Sequence, residues 1–306
     1  ADIDKVIKNA HAEGLYEDSE IIHKIPRYFD IDNTSFIKNP YGLEGQKLSV
    51  NTYIIATSRY QMNNLRNVIR DALGVKNPVF VLNSIASSEA ILSEEHKKIG
   101  VVIVDIGGEN VDVAAYTQGS LLFASSFQGG GKEITLDLAR EFSLAMDTAE
   151  KLKSNFEKVI TSGKTAITIE TIGGLEAEIR VPSIKRDIVD KFNSIFGNTY
   201  NKLQYYVEQE RFSAGIVLTG GTSMTYDIIS TAASHFHVLT QLGQLTHPLP
   251  GVENMEYTAE YATAMGLLLW GRRRLVEKGG SKARLKMNTG NLLERIKGYF
   301  KNINED

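Results

Sequence analysis

A carboxylate, Asp105, stands at the end of the apolar run Val101-Val102-Ile103-Val104, and Gly107-Gly108-Glu109-Asn110 follow it closely. Burying a charge at the end of such a strand is costly unless it is paired or coordinates a cation. Adjacent glycines let a turn adopt positive φ and let its backbone amides approach another atom, which makes a nest for anions. Together these residues suit phosphate oxygens beside a Mg²⁺ held to Asp105 through water. The same pattern also makes a plain β-hairpin with a surface aspartate.

A second glycine pair lies far along the chain, in Gly215-Ile216-Val217-Leu218-Thr219-Gly220-Gly221-Thr222-Ser223-Met224. It reads as a buried strand, two glycines, and a helix whose first residues are Thr222 and Ser223. A helix N-terminus of that kind is open to anions. Alone it is a common strand-to-helix turn; joined to the first pair it is much less ordinary.

These turns need elements to hold them. Ile3, Val6, Ile7 and Ala10 keep helical spacing over 3–12, and 19–32 and 47–57 alternate like strands, with a turn-rich loop between. The pattern predicts a helix over 59–73 closed by Gly74, a short buried strand in Asn77–Asn83, and a helix over 84–95. Two apolar runs form the hairpin of residues 100–122. A strand, a glycine turn and a helix from about Glu133 come next, then a helix over 147–158. A hairpin turns at Gly173-Gly174, a long helix fills 183–211, and another runs from Thr222 to about Ser234. A strand in 237–243 and a helix over 257–276 with the one tryptophan, Trp270, complete the pattern. Strands and helices alternate but hairpins interrupt them, which predicts a mixed α/β sheet.

Composition narrows the classes. A formal net charge of −3 argues against a general nucleic-acid binder. The chain has no cysteine, so disulfides and thiolate metal sites are excluded. No apolar run reaches the ~18–20 residues that span a bilayer. The first residues, Ala1-Asp2-Ile3-Asp4, already lie in a helical pattern without an initiator Met, as in a fragment or processed chain.

Residues along the whole chain carry a resemblance: "PRYFDID" followed by "NPYGLEG", "LNSIASSEAIL", "VVIVDIGG", "ITLDLA" with "AEKLK", "GIVLTGG" and "YATAMGLLLWG". The set resembles the actin and hexokinase ATPase superfamily and, within it, the bacterial FtsA family of cell-division proteins. That resemblance implies an α/β, actin-like two-lobed ATPase fold with ribonuclease-H-like mixed sheets and an inserted subdomain. The implied division is 1–57 for the inserted SHS2-like subdomain, 58–98 for the rest of the first lobe, and 99–276 for the second lobe, with an outer subdomain at about 145–211.

The resemblance also implies roles. Asp105, Gly107 and Gly108, with Glu109 and Asn110 in the same turn, match the second phosphate loop, contacting ATP phosphates and Mg²⁺. Gly220, Gly221, Thr222 and Met224 match the adenosine motif. Glu150 and Lys153 match helix residues near ribose and base, and Gly130 and Thr135 fall at the phosphate-side turn and helix.

Departures from the family pattern stand beside these matches. Glu109 and Asn110 occupy positions where Gly-Thr is usual, and a glutamate repels a triphosphate unless it points away or helps hold the metal. The superfamily's first phosphate loop and the first strand of the inserted subdomain should precede Ala1. In the chaperone branch an acidic residue and proline occupy the Asn83-Ser84 position, and asparagine cannot act as a base. Nucleotide binding with slow or no hydrolysis is therefore expected.

At the far end, "NLLERIKGYFKNI" sets Leu292, Leu293, Ile296, Tyr299, Phe300 and Ile303 on one helical face, flanked by Arg295, Lys297 and Lys301. This is the pattern of an interfacial helix drawn to anionic lipid, although a helix docked on its own domain has it too. A Gly/Ser/Lys linker over 277–290 and the family resemblance favour the membrane for residues 291–303.

The expected protein is thus an ATP-binding actin homologue on the cytoplasmic face of the membrane at the division septum. It would polymerise, tether the FtsZ C-terminal tail and meet downstream division proteins. Two rivals are a pilus-assembly scaffold of the same fold and a sugar or acid kinase, for which no catalytic carboxylate motif stands out. "GGGKEI" at 129–134 is not a Walker A loop, because Ser126 and Glu133 stand where glycine and Ser/Thr are required. His235 and His237 lack a metal-site pattern.

Overall fold

The computed structural model describes residues 2–10, 17–246 and 259–277. Chain order begins with α1 (Asp2–Asn9), β1 (Ser19–Ile31), β2 (Thr34–Ile37), β3 (Leu48–Ser58) and α2 (Arg59–Leu73). The strands form a three-stranded antiparallel sheet in the order β2-β1-β3. Thr34–Ile37, read from sequence as loop, is an edge strand because its backbone finds β1, with Phe29 opposite Ile37. α2 stops as expected at Gly74, whose left-handed backbone lets its N–H reach the Arg70 carbonyl.

The next segment corrects two expectations. Asn77–Asn83 is not a strand and joins none of the three sheets. The Leu82 N–H is instead satisfied by His23 Nε2 on β1, 3.1 Å away. The expected 84–95 helix is two helices, α3 (Asn83–Ile91) and α4 (Glu94–Ile99). Ser93 interrupts them with a capping box, its hydroxyl accepting from His96 N–H while His96 reaches back to Ser93 N–H.

β4 (Val101–Ile106), β5 (Asn110–Thr117) and β6 (Ser120–Gln128) follow, the last two joined by Gln118-Gly119. Both turn residues have positive φ, the geometry of a two-residue hairpin turn. The second apolar run of residues 100–122 is thereby split in two. Then come α5 (Gly131–Glu141), α6 (Met146–Ser154), α7 (Phe156–Thr161), the hairpin β7 (Ala166–Glu170) and β8 (Glu176–Arg180), and the long α8 (Val181–Val207). β9 (Ile216–Thr219), α9 (Ile228–Phe236), β10 (Thr240–Leu242) and α10 (Ala262–Glu277) complete the described elements. Here too two readings change. The predicted 147–158 helix breaks at Asn155, and no helix starts at Thr222: Gly221–Met224 makes a single 3-10 turn and α9 begins only at Ile228.

The main sheet runs β10-β9-β4-β5-β6. β4, β9 and β10 are parallel, while β5 and β6 are antiparallel hairpin additions. That is the ribonuclease-H-like mixed sheet. β4 is buried along its full length, and its residues alternate between two cores. Val102, Val104 and Ile106 face α5, α8 and α9 with Phe156, Phe192 and Phe196; Val101 and Ile103 face α3 and α10. Each fully buried phenylalanine contributes roughly 2–3 kcal/mol by area. α3 and α10 cross in near backbone contact, since a Cβ on Gly266 would stand 1.7 Å from the Ala86 carbonyl oxygen.

The three-stranded sheet leans on this framework. Tyr53 Oη bridges the Ala124 carbonyl and N–H on β6, and His23 meets the edge of Trp270 on α10 at 5.6 Å. The linker after α10 and the amphipathic segment with Leu292, Phe300 and their neighbours lie outside the described residues.

Candidate functional site

The alternation along β4 and β5 aims two carboxylates at the same side. Asp105 and Asp112 are register partners on adjacent strands, both buried, and both face α3 and α10. Thr263 on α10 donates to Asp105 Oδ2 at 3.0 Å, and the Asn83 carboxamide at the start of α3 donates to Asp112 Oδ2 at 3.3 Å. Burial pushes the Asp105 carboxyl up to about 6; the hydrogen bonds from Thr263 and Ser87 oppose that rise and the Asp112 charge adds to it.

Past Asp105 the chain turns tightly, the Gly107 N–H closing on the Asn110 carbonyl at 2.9 Å. Neither Gly107 nor Gly108 has positive φ, contrary to the sequence argument, and a Cβ on Gly108 would meet nothing within 4 Å. The protein's own packing therefore does not require glycine at 108. What the turn presents to α5 is its carbonyls: Gly107 O accepts from Gly131 N–H at 3.0 Å and Gly108 O from Lys132 N–H at 2.8 Å. The amides of Gly108 and Glu109 have no acceptor among the described residues.

The second glycine turn packs directly on the first. Gly220 has φ +85°, and a Cβ there would stand 2.5 Å from Asp105 Oδ1 and 2.6 Å from the Ile106 carbonyl oxygen. Backbone conformation and space both demand glycine. One turn later the Thr222 hydroxyl donates to Gly107 O at 2.9 Å, so the two glycine turns are tied by a hydrogen bond. Gly130, before α5, is wedged equally tightly, its Cβ position 2.4 Å from that same carbonyl oxygen.

A third support comes from α6. Lys153 is buried, and its ammonium donates to Gly131 O at 3.0 Å, Thr135 Oγ1 at 2.9 Å and Glu150 Oε2 at 2.7 Å. All three of its donors are used. Burial acts to raise the Glu150 carboxyl, but the hydrogen bonds from Lys153 and Thr135 outweigh it and hold the group below the usual range.

These parts enclose a cleft of 600 Å³, within the size of small-molecule sites. Gly108, Glu150, Lys153, Gly221, Thr222 and Met224 all line it. Gly107, Gly130 and Gly220 form the layer behind its wall and Asp105 lies beneath. Glu109 and Asn110 face a neighbouring recess of 330 Å³. Glu109 points to Lys132, its carboxylate 2.6 Å from the ammonium, both side chains exposed. A further hollow of 470 Å³ between α5 and α8 has its Lys191 already paired with Asp137 at 2.7 Å.

Sequence reasoning missed Thr263, Asp112 and Lys132. Thr263 lies 158 positions from Asp105, beyond any local signal. Lys132 sat inside the "GGGKEI" segment set aside as a failed Walker loop. Asp112 could have been found, since alternation places it on the same face as Asp105.

The sequence profile for "Cell division protein FtsA" matches residues 102–266, which contain Asp105, both glycine turns and Thr263. The chain belongs to the FtsA family. A profile for the SHS2 domain inserted in FtsA matches residues 1–56, and one for the type IV pilus assembly protein PilM matches 29–159. FtsA of Neisseria meningitidis serogroup B is 30% identical over 321 residues, covering 99% of this chain and 74% of its own length. FtsA of Escherichia coli K12 is 26% identical over 313 residues, covering 98% and 74%. Among solved structures, the PilM–PilN type IV pilus biogenesis complex superposes with a TM-score of 0.61 at 17% identity, over 85% of this chain and 68% of that one. MreB5 of Spiroplasma citri bound to ADP gives 0.55 at 17% identity, over 73% and 69%. The fold is the actin-like ATPase fold, and as an FtsA-family member the chain is an actin-like cell-division protein. No described helix is long and apolar enough to cross a membrane.

Proposed function

We propose that this chain binds ATP with Mg²⁺ in the cleft between the two glycine turns and uses it as an assembly ligand, with slow or no hydrolysis. The observation that carries the reading is the convergence on one carbonyl, Gly107 O, of the phosphate-side turn, the adenosine-side turn through Thr222, and α5 through Gly131. The free amides of Gly108 and Glu109, and the open space at Gly108, suit close approach of phosphate oxygens. Glu150, held by Lys153, would meet the ribose, and Gly221, Thr222 and Met224 the adenine side, with Gly220 packed behind them. Asn110 and Gly130 shape the turn.

The donor set fits Mg²⁺. Asp105 and Asp112 supply two hard oxygens side by side, suited to an ion that keeps several of its waters. When bound there, Mg²⁺ would neutralise phosphate charge. Asn83, at the start of α3, donates to Asp112 and cannot accept a proton from water, which supports slow hydrolysis.

Family membership supports the rest: self-assembly at the cytoplasmic face of the membrane, docking of the FtsZ C-terminal tail, contact with downstream division proteins, and peripheral attachment to anionic lipid at the septum through residues 291–303. One such helix anchors weakly, so linked copies gain by avidity. The test is co-sedimentation with anionic vesicles, with and without ATP, comparing the chain with one truncated before Asn291. Pelleting lost on truncation and strengthened by ATP is expected. Pelleting independent of residues 291–306 would sink the anchor, and indifference to ATP would sink its role as assembly ligand.

The PilM profile over 29–159 gives a second reading, a pilus-assembly scaffold. Capture of an FtsZ tail peptide by the purified chain separates the two, since that scaffold has no reason to bind it.

A further inference from the structure

Glu109 is the residue least suited to a phosphate site, and the structure gives it a partner. Its carboxylate takes Lys132, whose ammonium is 2.6 Å away. Lys132 sits in the first turn of α5 with its N–H on Gly108 O at 2.8 Å, so the cation is anchored at the phosphate-side turn. Lys132 lines both the 600 Å³ cleft and the 330 Å³ recess, whereas Glu109 lines only the recess. The ion pair therefore stands at the boundary between the two spaces, and Glu109 draws the cation toward the recess. Both side chains are mostly exposed, at 68% and 64% of full accessibility, so the pair is weak and easily exchanged.

We infer that the Glu109–Lys132 pair is an electrostatic latch at the phosphate end of the cleft, which grades nucleotides by their phosphate charge. Resting on the ATP reading above, the inference assigns Lys132 as a specificity residue and Glu109 as the group that withholds it. A bound polyphosphate competes with Glu109 for the ammonium; adenosine does not. Mutual neutralisation also explains how the turn tolerates an acidic side chain. Each carboxyl and ammonium holds the other charged, Glu109 titrating below and Lys132 above the ordinary range.

The test is the dissociation constant for ATP, ADP, AMP and adenosine, measured calorimetrically on the full chain and on Glu109→Gln, Lys132→Gln and the double variant. Glu109→Gln should tighten ATP by roughly threefold to fivefold, ADP less, and adenosine not at all, the range matching an exposed ion pair. Lys132→Gln should weaken ATP by a similar factor. In the Lys132→Gln background the Glu109→Gln gain should shrink to little. A gain that persists undiminished there overturns the latch, because Glu109 would then act by its field alone. Unchanged or weaker ATP binding by Glu109→Gln also overturns it while leaving the ATP reading intact. Failure of all four proteins to bind any nucleotide overturns both together.

Discussion

Gly220 lies against Asp105 with no room for a side chain: a Cβ there would come within 2.5 Å of the carboxylate Oδ1. Asp105 lies on β4 and Gly220 directly follows β9, the adjacent parallel strand, in which Thr219 is the register partner of Asp105. One glycine pair is thus the floor beneath the other's carboxylate. Gly220→Ala must both strain a φ of +85° and displace Asp105 or Ile106. A loss of about 2–4 kcal/mol is expected. Urea denaturation reads it, and a loss below about 1 kcal/mol would mean that the turns do not pack this way.

Asp105 makes stability depend on pH. Its folded-state pKa of about 6 lies above the ordinary carboxylate value of 3.8. The folded state therefore holds the proton more tightly than the unfolded chain. That contribution is complete below about pH 4 and is lost as pH rises through 6. In nucleotide- and metal-free protein, Asp105→Asn should be more stable than the parent at pH 7.5 by about 2–3 kcal/mol, with the difference vanishing near pH 4. Parallel pH–stability curves for the two proteins would refute it.

Lys153 is the only cation reaching the Gly131 carbonyl, Thr135 and Glu150 among the described residues. Lys153→Met keeps the volume and leaves these acceptors short of donors, at a cost of about 2 kcal/mol. It should also let the Glu150 carboxyl rise toward its ordinary range, which NMR titration follows. An unmoved Glu150 would show that Lys153 does not govern it.

Thr222 ties the turns by a single hydroxyl. Thr222→Val should cost about 1 kcal/mol and weaken ATP binding, whereas Thr222→Ser, which keeps the hydroxyl, should retain both properties nearly intact. Equal behaviour of the two variants in calorimetric ATP titration would argue that the methyl group, not the hydrogen bond, matters.

Much of the site was readable as spacing. The apolar strand ending in Asp105 and the glycine pairs are local patterns, whereas Glu150 and Lys153 came only from the family resemblance; Gly108, Gly221, Glu150 and Lys153 line one cleft. The glycine argument itself needed correction: positive φ belongs to Gly129, Gly130 and Gly220, not to Gly107 and Gly108. Thr222 was read as the start of a helix, yet it serves through its side chain in a one-turn 3-10 segment.

By itself the sequence determined where most strands and amphipathic helices run, because alternation and helical spacing record which face each segment must bury. It also marked the two turns, because glycine pairs after apolar strands are written into adjacent positions. Only the tertiary structure decided that Asn77–Asn83 joins no sheet, that Thr263 steadies Asp105, and that Lys132 answers Glu109. Each depends on which distant segment arrives as a neighbour, and a strand edge, a hydroxyl or a counter-charge supplied from elsewhere in the chain leaves no periodic trace in the residues that use it.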